Sequence, residues 1–180
     1  MVSEFQVAFK DATEGSAKEA QLAGWSPRQI LTLASIVEKE TGAPEERPLV
    51  ASVFHNRLRK GMLLQTDPTI IYGKAKETGK IVLNITRADL TRYTPYNTYV
   101  IKGLPPGPIA NPGKAALQAV VHPAQSDYLY FVSKNDGTHQ FSTDLAAHNA
   151  AVRKFQLDPK AREGKSWRDL KSKGVRPEGL

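Results

Sequence analysis

The segment from Ser26 to Thr41 constrains the fold more than any other part of this chain. Ser26 offers a side-chain oxygen to free helix amides, Pro27 suits the first helical position, and Gln29 stands where a capping box places its acceptor. From Ile30 to Val37, apolar residues cover most of the circumference of the helix that follows. A helix with that distribution is buried rather than laid on a surface. The spacing therefore predicts a buried helix over 30–41, ended by Gly42, around which the remaining elements must pack.

Pro44, Glu45 and Glu46 open a further helix with Leu49, Val50, Val53, Phe54 and Leu58 on its apolar face. Arg57, Arg59 and Lys60 complement its C-terminal dipole, and Gly61 stops it. Asp67 is expected as the N-cap of a short helix with Pro68 just inside it, whose first turns run over 69–72. Residues 73–84 read as polar and turn-rich, and Thr86 caps one more short helix. Gly103 to Pro108 form a Gly/Pro loop placed to flank and gate a cleft, and Asn111, Pro112 and Gly113 cap a helix to about Val121. Residues 128–133 and 138–142, joined at Asn135, Asp136 and Gly137, carry the clearest hairpin signal. A last helix spans about 144–155. At the other end, 2–20 reads as a helical segment of imperfect period. The fold class is α+β, mainly helical with one β-hairpin. The expected organisation is an N-terminal helical segment at 1–25, a domain at 26–156 and a basic polar tail at 157–180.

Composition narrows the chemistry. The 180 residues contain no cysteine, which excludes disulfides, thiol nucleophiles and thiolate zinc sites. Apolar runs stop at about four residues, far short of the roughly 20 that cross a bilayer. The start, Met1 to Gln6, lacks the basic end and apolar stretch of a signal peptide. A net charge of +7 comes mostly from residues 151–180, which carry nine Lys/Arg against four Asp/Glu. With only Phe155 and Trp167 available there for stacking, that end reads as solvated rather than as a nucleic-acid arm. A phosphate loop fails at Gly73 to Lys80, where five residues separate the glycines and Ile81 takes the hydroxyl position. The four histidines, His55, His122, His139 and His148, show no metal-ligand spacing. No cofactor or metal is expected, and the menu is carboxylate, histidine or hydroxyl chemistry.

Among carboxylates, Glu38 and Glu40 flank the apolar sector of the buried helix on either side. Burial would raise either toward the range of a general acid at neutral pH, and the helical wheel does not choose between them. A glutamate on a buried helix of a small helical domain suits glycoside cleavage, for which Glu40, Asp67 and Asp89 are candidate second carboxylates. Gln65, Tyr96 and Asn97 are candidate contacts to sugar hydroxyl and acetamido groups.

A resemblance adds to this. Residues 33–41, 50–58 and 64–69 are followed in order by Tyr96 to Tyr99, Gly103 to Ile109, Asn111 to Gly113, His122 to Ala124, Tyr128 to Val132, and His148 with Asn149. Together they resemble the catalytic domain of the MltG-like (YceG-like) endolytic murein transglycosylases of bacteria, over roughly residues 25–155. The resemblance implies a lysozyme-like lytic transglycosylase fold. It also implies cleavage of the MurNAc–GlcNAc β-1,4 bond within peptidoglycan strands, leaving 1,6-anhydro-MurNAc ends. It assigns the catalytic glutamate to Glu38, with Glu40 in reserve at the substrate and Gln65, Tyr96 and Asn97 contacting glycan. One carboxylate then suffices as acid and base. It further implies a soluble fragment of a membrane-anchored protein acting outside the cytoplasmic membrane, beside the peptidoglycan synthases. A non-cleaving peptidoglycan-binding module and a lysozyme-type hydrolase remain open as alternatives.

Overall fold

The computed structural model describes residues 9, 10 and 24–158. Phe9 and Lys10 are helical; the rest of the helix expected over 2–20 lies outside the described residues, as does the tail beyond Asp158.

Helix α1, Pro27–Glu40, runs through the centre and packs against three others. Its capping box forms as the sequence predicts: Gln29 N–H donates to Ser26 Oγ at 3.3 Å, and Ser26 N–H to Gln29 Oε1 at 2.8 Å. Every residue from Thr32 to Val37 is buried. A 3-10 turn, Pro44–Glu46, leads into α2, Arg47–Arg59, which presents Val50, Val53 and Phe54 to the interior. The core gathers Leu33, Ile36 and Val37 with Val50, Phe54, Leu64, Tyr96 and the apolar face of α5, Lys114–Val121. Burying side chains of this size is worth about 1.5–3 kcal/mol each.

Helix α3, Asp67–Thr78, is longer than expected, because Gly73 is a contact rather than a turn. A Cβ there would lie 2.9 Å from Thr94 Oγ1 and 3.3 Å from Tyr96 Cβ, so the helix continues by giving up a side chain. Its N-cap is Thr66, not Asp67. The short α4, Arg87–Thr91, has the predicted start, with Thr86 and Asp89 capping each other.

The Gly/Pro loop is tied to α1: Arg28 Nε donates to Pro106 O at 2.9 Å and Ile109 N–H to Ser35 Oγ at 2.9 Å. Gly107 faces the Arg28 guanidinium so closely that a Cβ would sit 2.9 Å from Nη2.

Strands β1, Tyr130–Ser133, and β2, His139–Ser142, pair antiparallel with Phe131 opposite Phe141. Asn135 (φ 62°) and Gly137 (φ 91°) make the turn, as residues tolerant of the left-handed region should. Phe131 meets Phe54 edge-on at 5.9 Å, and the Glu46 carboxylate accepts from His139 N–H at 2.9 Å and contacts its Nδ1 at 2.6 Å. These contacts dock the hairpin on α2. Helix α6, Leu145–Val152, capped by Asp144, packs on both strands and passes into a π-helical turn, Arg153–Leu157. The described residues thus form an α+β unit with one two-stranded sheet.

Candidate active site

The two glutamates of α1 meet different surroundings. Glu38 turns toward the start of α5, where Oε2 accepts from Gly113 N–H at 3.1 Å and Oε1 lies 3.4 Å from Arg47 Nη2. That carboxylate is bound on both oxygens and is not part of the cleft on which Glu40 opens. Glu40, the last residue of α1, opens on a cleft of about 450 Å³ bounded by Arg57, Gln65, Asp67, Tyr99, Tyr130, Phe131, Leu145, His148 and Asn149.

Burial pushes the Glu40 carboxyl up to about 7, and the nearby Asp67 charge pushes the same way. The Thr66 hydroxyl and the Arg57 guanidinium pull it back. Its place at the negative end of the α1 dipole also disfavours the charged form. A carboxyl so poised can give a proton near neutral pH and take one back.

Arg57, expected to complement the C-terminal dipole of its helix, is buried. Its Nε donates to Leu129 O at 2.6 Å and Nη1 to Leu64 O at 2.7 Å, while the guanidinium lies 5.4 Å from the Tyr130 ring centre. The periodicity held the signal: 50, 53, 54 and 57 share one helical face. His148 stacks on Tyr130 at 5.1 Å, and burial with the nearby Arg57 charge lowers its pKa, favouring the neutral imidazole.

Of the expected glycan contacts, Gln65 lines the cleft, in the left-handed region at φ 48°. Tyr96 and Asn97 do not. Tyr96 is in the core beside Tyr72, ring centres 4.8 Å apart. Asn97 is buried, with Nδ2 donating to Asp89 O at 2.9 Å and Arg92 O at 2.7 Å, and Oδ1 accepting from Tyr99 N–H at 3.0 Å. Their polar groups are used inside the fold. Tyr99, two residues after Asn97, is the one that reaches the cleft; burial and its bond to Asp67 push its phenol pKa up.

Asp89, a candidate second carboxylate, pairs with Lys74 at 2.7 Å and accepts from Thr86, which hold its carboxyl down at about 2. It is a cap and an ion-pair partner away from the cleft. His148, Asn149 and Tyr130 lay in recognisable sequence words, but nothing in their spacing showed that they share a wall with Glu40.

The profile of the YceG-like family matches residues 1–154. The chain is 44% identical over 130 residues to a Bacillus subtilis (strain 168) protein named endolytic murein transglycosylase, covering 72% of this chain and 35% of that one. A Streptococcus pneumoniae serotype 2 protein of the same name is 41% identical over 130 residues, covering 69% of this chain and 23% of that one. The chain therefore spans about a third or less of those relatives' length. A crystal structure of a yceG-like protein from Listeria monocytogenes superposes with a TM-score of 0.73 at 39% identity, covering 84% of this chain and 47% of that one. With most of its length matched by the profile, and with that superposition, the chain belongs to the YceG-like family.

Proposed function

We propose that this chain is the catalytic part of an endolytic murein transglycosylase, and that Glu40 rather than Glu38 is its acid and base. The observation that carries the reading is the Glu40 carboxyl: half-buried, raised to about 7, and open to a cleft. Relatives that are 41–44% identical carry that activity in their names.

In this reading Glu40 gives its proton to the oxygen of the MurNAc–GlcNAc β-1,4 bond as the bond to C1 breaks. The resulting carboxylate accepts the proton of the muramyl 6-hydroxyl as that oxygen closes onto C1. No water is consumed, and the product is a 1,6-anhydro-MurNAc end. A group whose pKa lies near the working pH serves both half-steps. Glu38, tied to Arg47 and to the start of α5, acts as a positioning residue for the end of α1. Gln65, His148 and Asn149 supply polar contacts along the strand. The lysozyme-like character of the fold, a place outside the cytoplasmic membrane, and work beside the peptidoglycan synthases belong to the same proposal.

Mass spectrometry of peptidoglycan digests tests it with the wild type, Glu40→Gln and Glu38→Gln. Anhydro-ended fragments from the wild type and Glu38→Gln, and none from Glu40→Gln, are expected. Product from Glu40→Gln with none from Glu38→Gln returns the chemistry to Glu38. Ordinary reducing ends identify a hydrolase, and no product from any of the three overturns cleavage by this chain alone.

A further inference from the structure

A second carboxylate opens on the same cleft and is held more firmly than a turn requires. Asp67 does not cap α3; that position is Thr66, and Asp67 stands first in the helix. Its side chain is committed elsewhere: the Tyr99 phenol donates to Asp67 Oδ1 at 2.6 Å. Tyr99 is fixed in turn, because its N–H is bound by Asn97 Oδ1. The segment that delivers Asp67 is latched to the same strut. Gln65 N–H donates to Thr98 O at 3.1 Å, Thr66 N–H donates to Thr98 Oγ1 at 3.0 Å, and Thr98 Oγ1 meets Thr69 Oγ1 at 2.9 Å. Gln65 is held at φ 48°, a backbone state that a residue with a side chain keeps only where its surroundings dictate it.

The groups around Glu40 come from several neighbouring elements: Arg57 from α2, Thr66 and Asp67 at the start of α3, Tyr99 from the loop after α4, Tyr130 from β1 and His148 from α6. Among these, the cation Arg57 has Nε and Nη1 bonded to backbone carbonyls, and Asp67 is the acidic partner. Its second oxygen is not used by Tyr99, and the residue is exposed where it borders the cleft.

We propose that Asp67, aimed by Tyr99, is the electrostatic partner of Glu40: it holds negative charge toward the sugar ring as the glycosidic bond breaks. The proposal rests on the reading of Glu40 as acid and base. The proton passes from Glu40 to the leaving oxygen, the C1–O electron pair leaves with that oxygen, and positive charge spreads over C1 and the ring oxygen. Asp67 forms no bond and keeps its charge. The 6-hydroxyl then closes onto C1 and its proton returns to Glu40. Negative charge beside Glu40 also keeps the acid protonated at higher pH, so one residue serves both ends of the step. Tyr99 acts through Asp67 as a positioning residue.

The test measures initial rates of anhydro-ended product against pH for the wild type, Asp67→Asn, Tyr99→Phe, the double variant and Glu40→Gln, with thermal melting as the folding control. Asp67→Asn is expected to lower kcat by about 10²-fold with little change in KM. It should also move the alkaline limb of the profile to lower pH. Tyr99→Phe should cost about tenfold, and the double variant no more than Asp67→Asn alone, as for two residues that act as one unit. A folded Asp67→Asn with wild-type kcat and an unmoved limb overturns the proposal while leaving Glu40, if Glu40→Gln is inactive. An active Glu40→Gln overturns the underlying reading and this one with it. If Asp67→Asn does not fold, Tyr99→Phe decides, and an unchanged kcat there overturns the proposal.

Discussion

Glu40→Gln should abolish turnover and also stabilise the protein, with a gain that depends on pH. The Glu40 carboxyl is raised from 4.5 to about 7 in the fold. A folded value above the unfolded one means that the stability this group supports is fully present below about 4.5 and is lost as pH rises through about 7. Two and a half units correspond to about 3 kcal/mol at 1.36 kcal/mol each. Partial opening to the cleft lets water offset some of that, so a loss of about 2 kcal/mol between about pH 5 and pH 8 is the working figure. Glutamine has nearly the same shape and no charge to desolvate. Urea unfolding of both proteins across that range should therefore show curves that nearly coincide in acid and separate as pH rises, in favour of Glu40→Gln. For a chain of this size, 2 kcal/mol is about 5 °C in Tm. Other titrating groups are common to both proteins and cancel in the difference. A gap that stays constant with pH would refute the claim that burial, rather than shape, sets the properties of this carboxyl.

Asn97→Ala strips partners from Asp89 O, Arg92 O and Tyr99 N–H, and should cost about 2–4 kcal/mol in chemical unfolding. It should also lower turnover through the displaced Tyr99, and a loss of activity with unchanged stability would contradict the strut reading. Gly73→Ala sets a helix-propensity gain of about 1 kcal/mol against overpacking of about 1–3 kcal/mol. With Thr94 Oγ1 at 2.9 Å and Tyr96 Cβ at 3.3 Å from the new carbon, the clash wins and Tm should fall; a higher Tm would mean that the contact gives way freely.

Local signals carried much of the fold. The capping boxes at Ser26 and Thr86, the apolar run of α1 and the hairpin turn are short-range features, and each appears as the residues dictate. The mistakes share a cause. Gly73 read as a turn because a missing side chain looks like flexibility, when it here marks a close approach to residues 94 and 96. Tyr96 and Asn97 sit in the right sequence word, but the word has two jobs: its first three residues are struts, and only Tyr99 reaches the cleft. The choice between Glu38 and Glu40 had no local signal. At two positions apart on a helix they point to opposite sides, and which side is enclosed depends on Tyr130, Phe131, His148 and Asn149, about a hundred residues later. The bonds that bring those residues across join side chains to backbone carbonyls, which leave no periodicity to read.

Arg57 shows how these levels meet. Asn56 Nδ2 holds Ser126 O at 2.8 Å and Tyr128 O at 2.9 Å, and Arg57 continues the row by binding Leu129 O, so α2 grips the segment that enters the hairpin. The same guanidinium binds Leu64 O, the carbonyl just before Gln65 and the segment that carries Asp67. One buried cation therefore ties the two walls of the cleft to one helix and fixes the cleft's width. With the Thr66 hydroxyl, its charge also bears on Glu40, opposing burial and Asp67, and the balance leaves the acid at about 7 rather than higher. A hydrophobic residue of equal volume could fill that space at no greater cost in stability. It could neither hold both backbone segments nor counter the desolvation of the carboxyl, so geometry and proton affinity in this cleft depend on the same side chain.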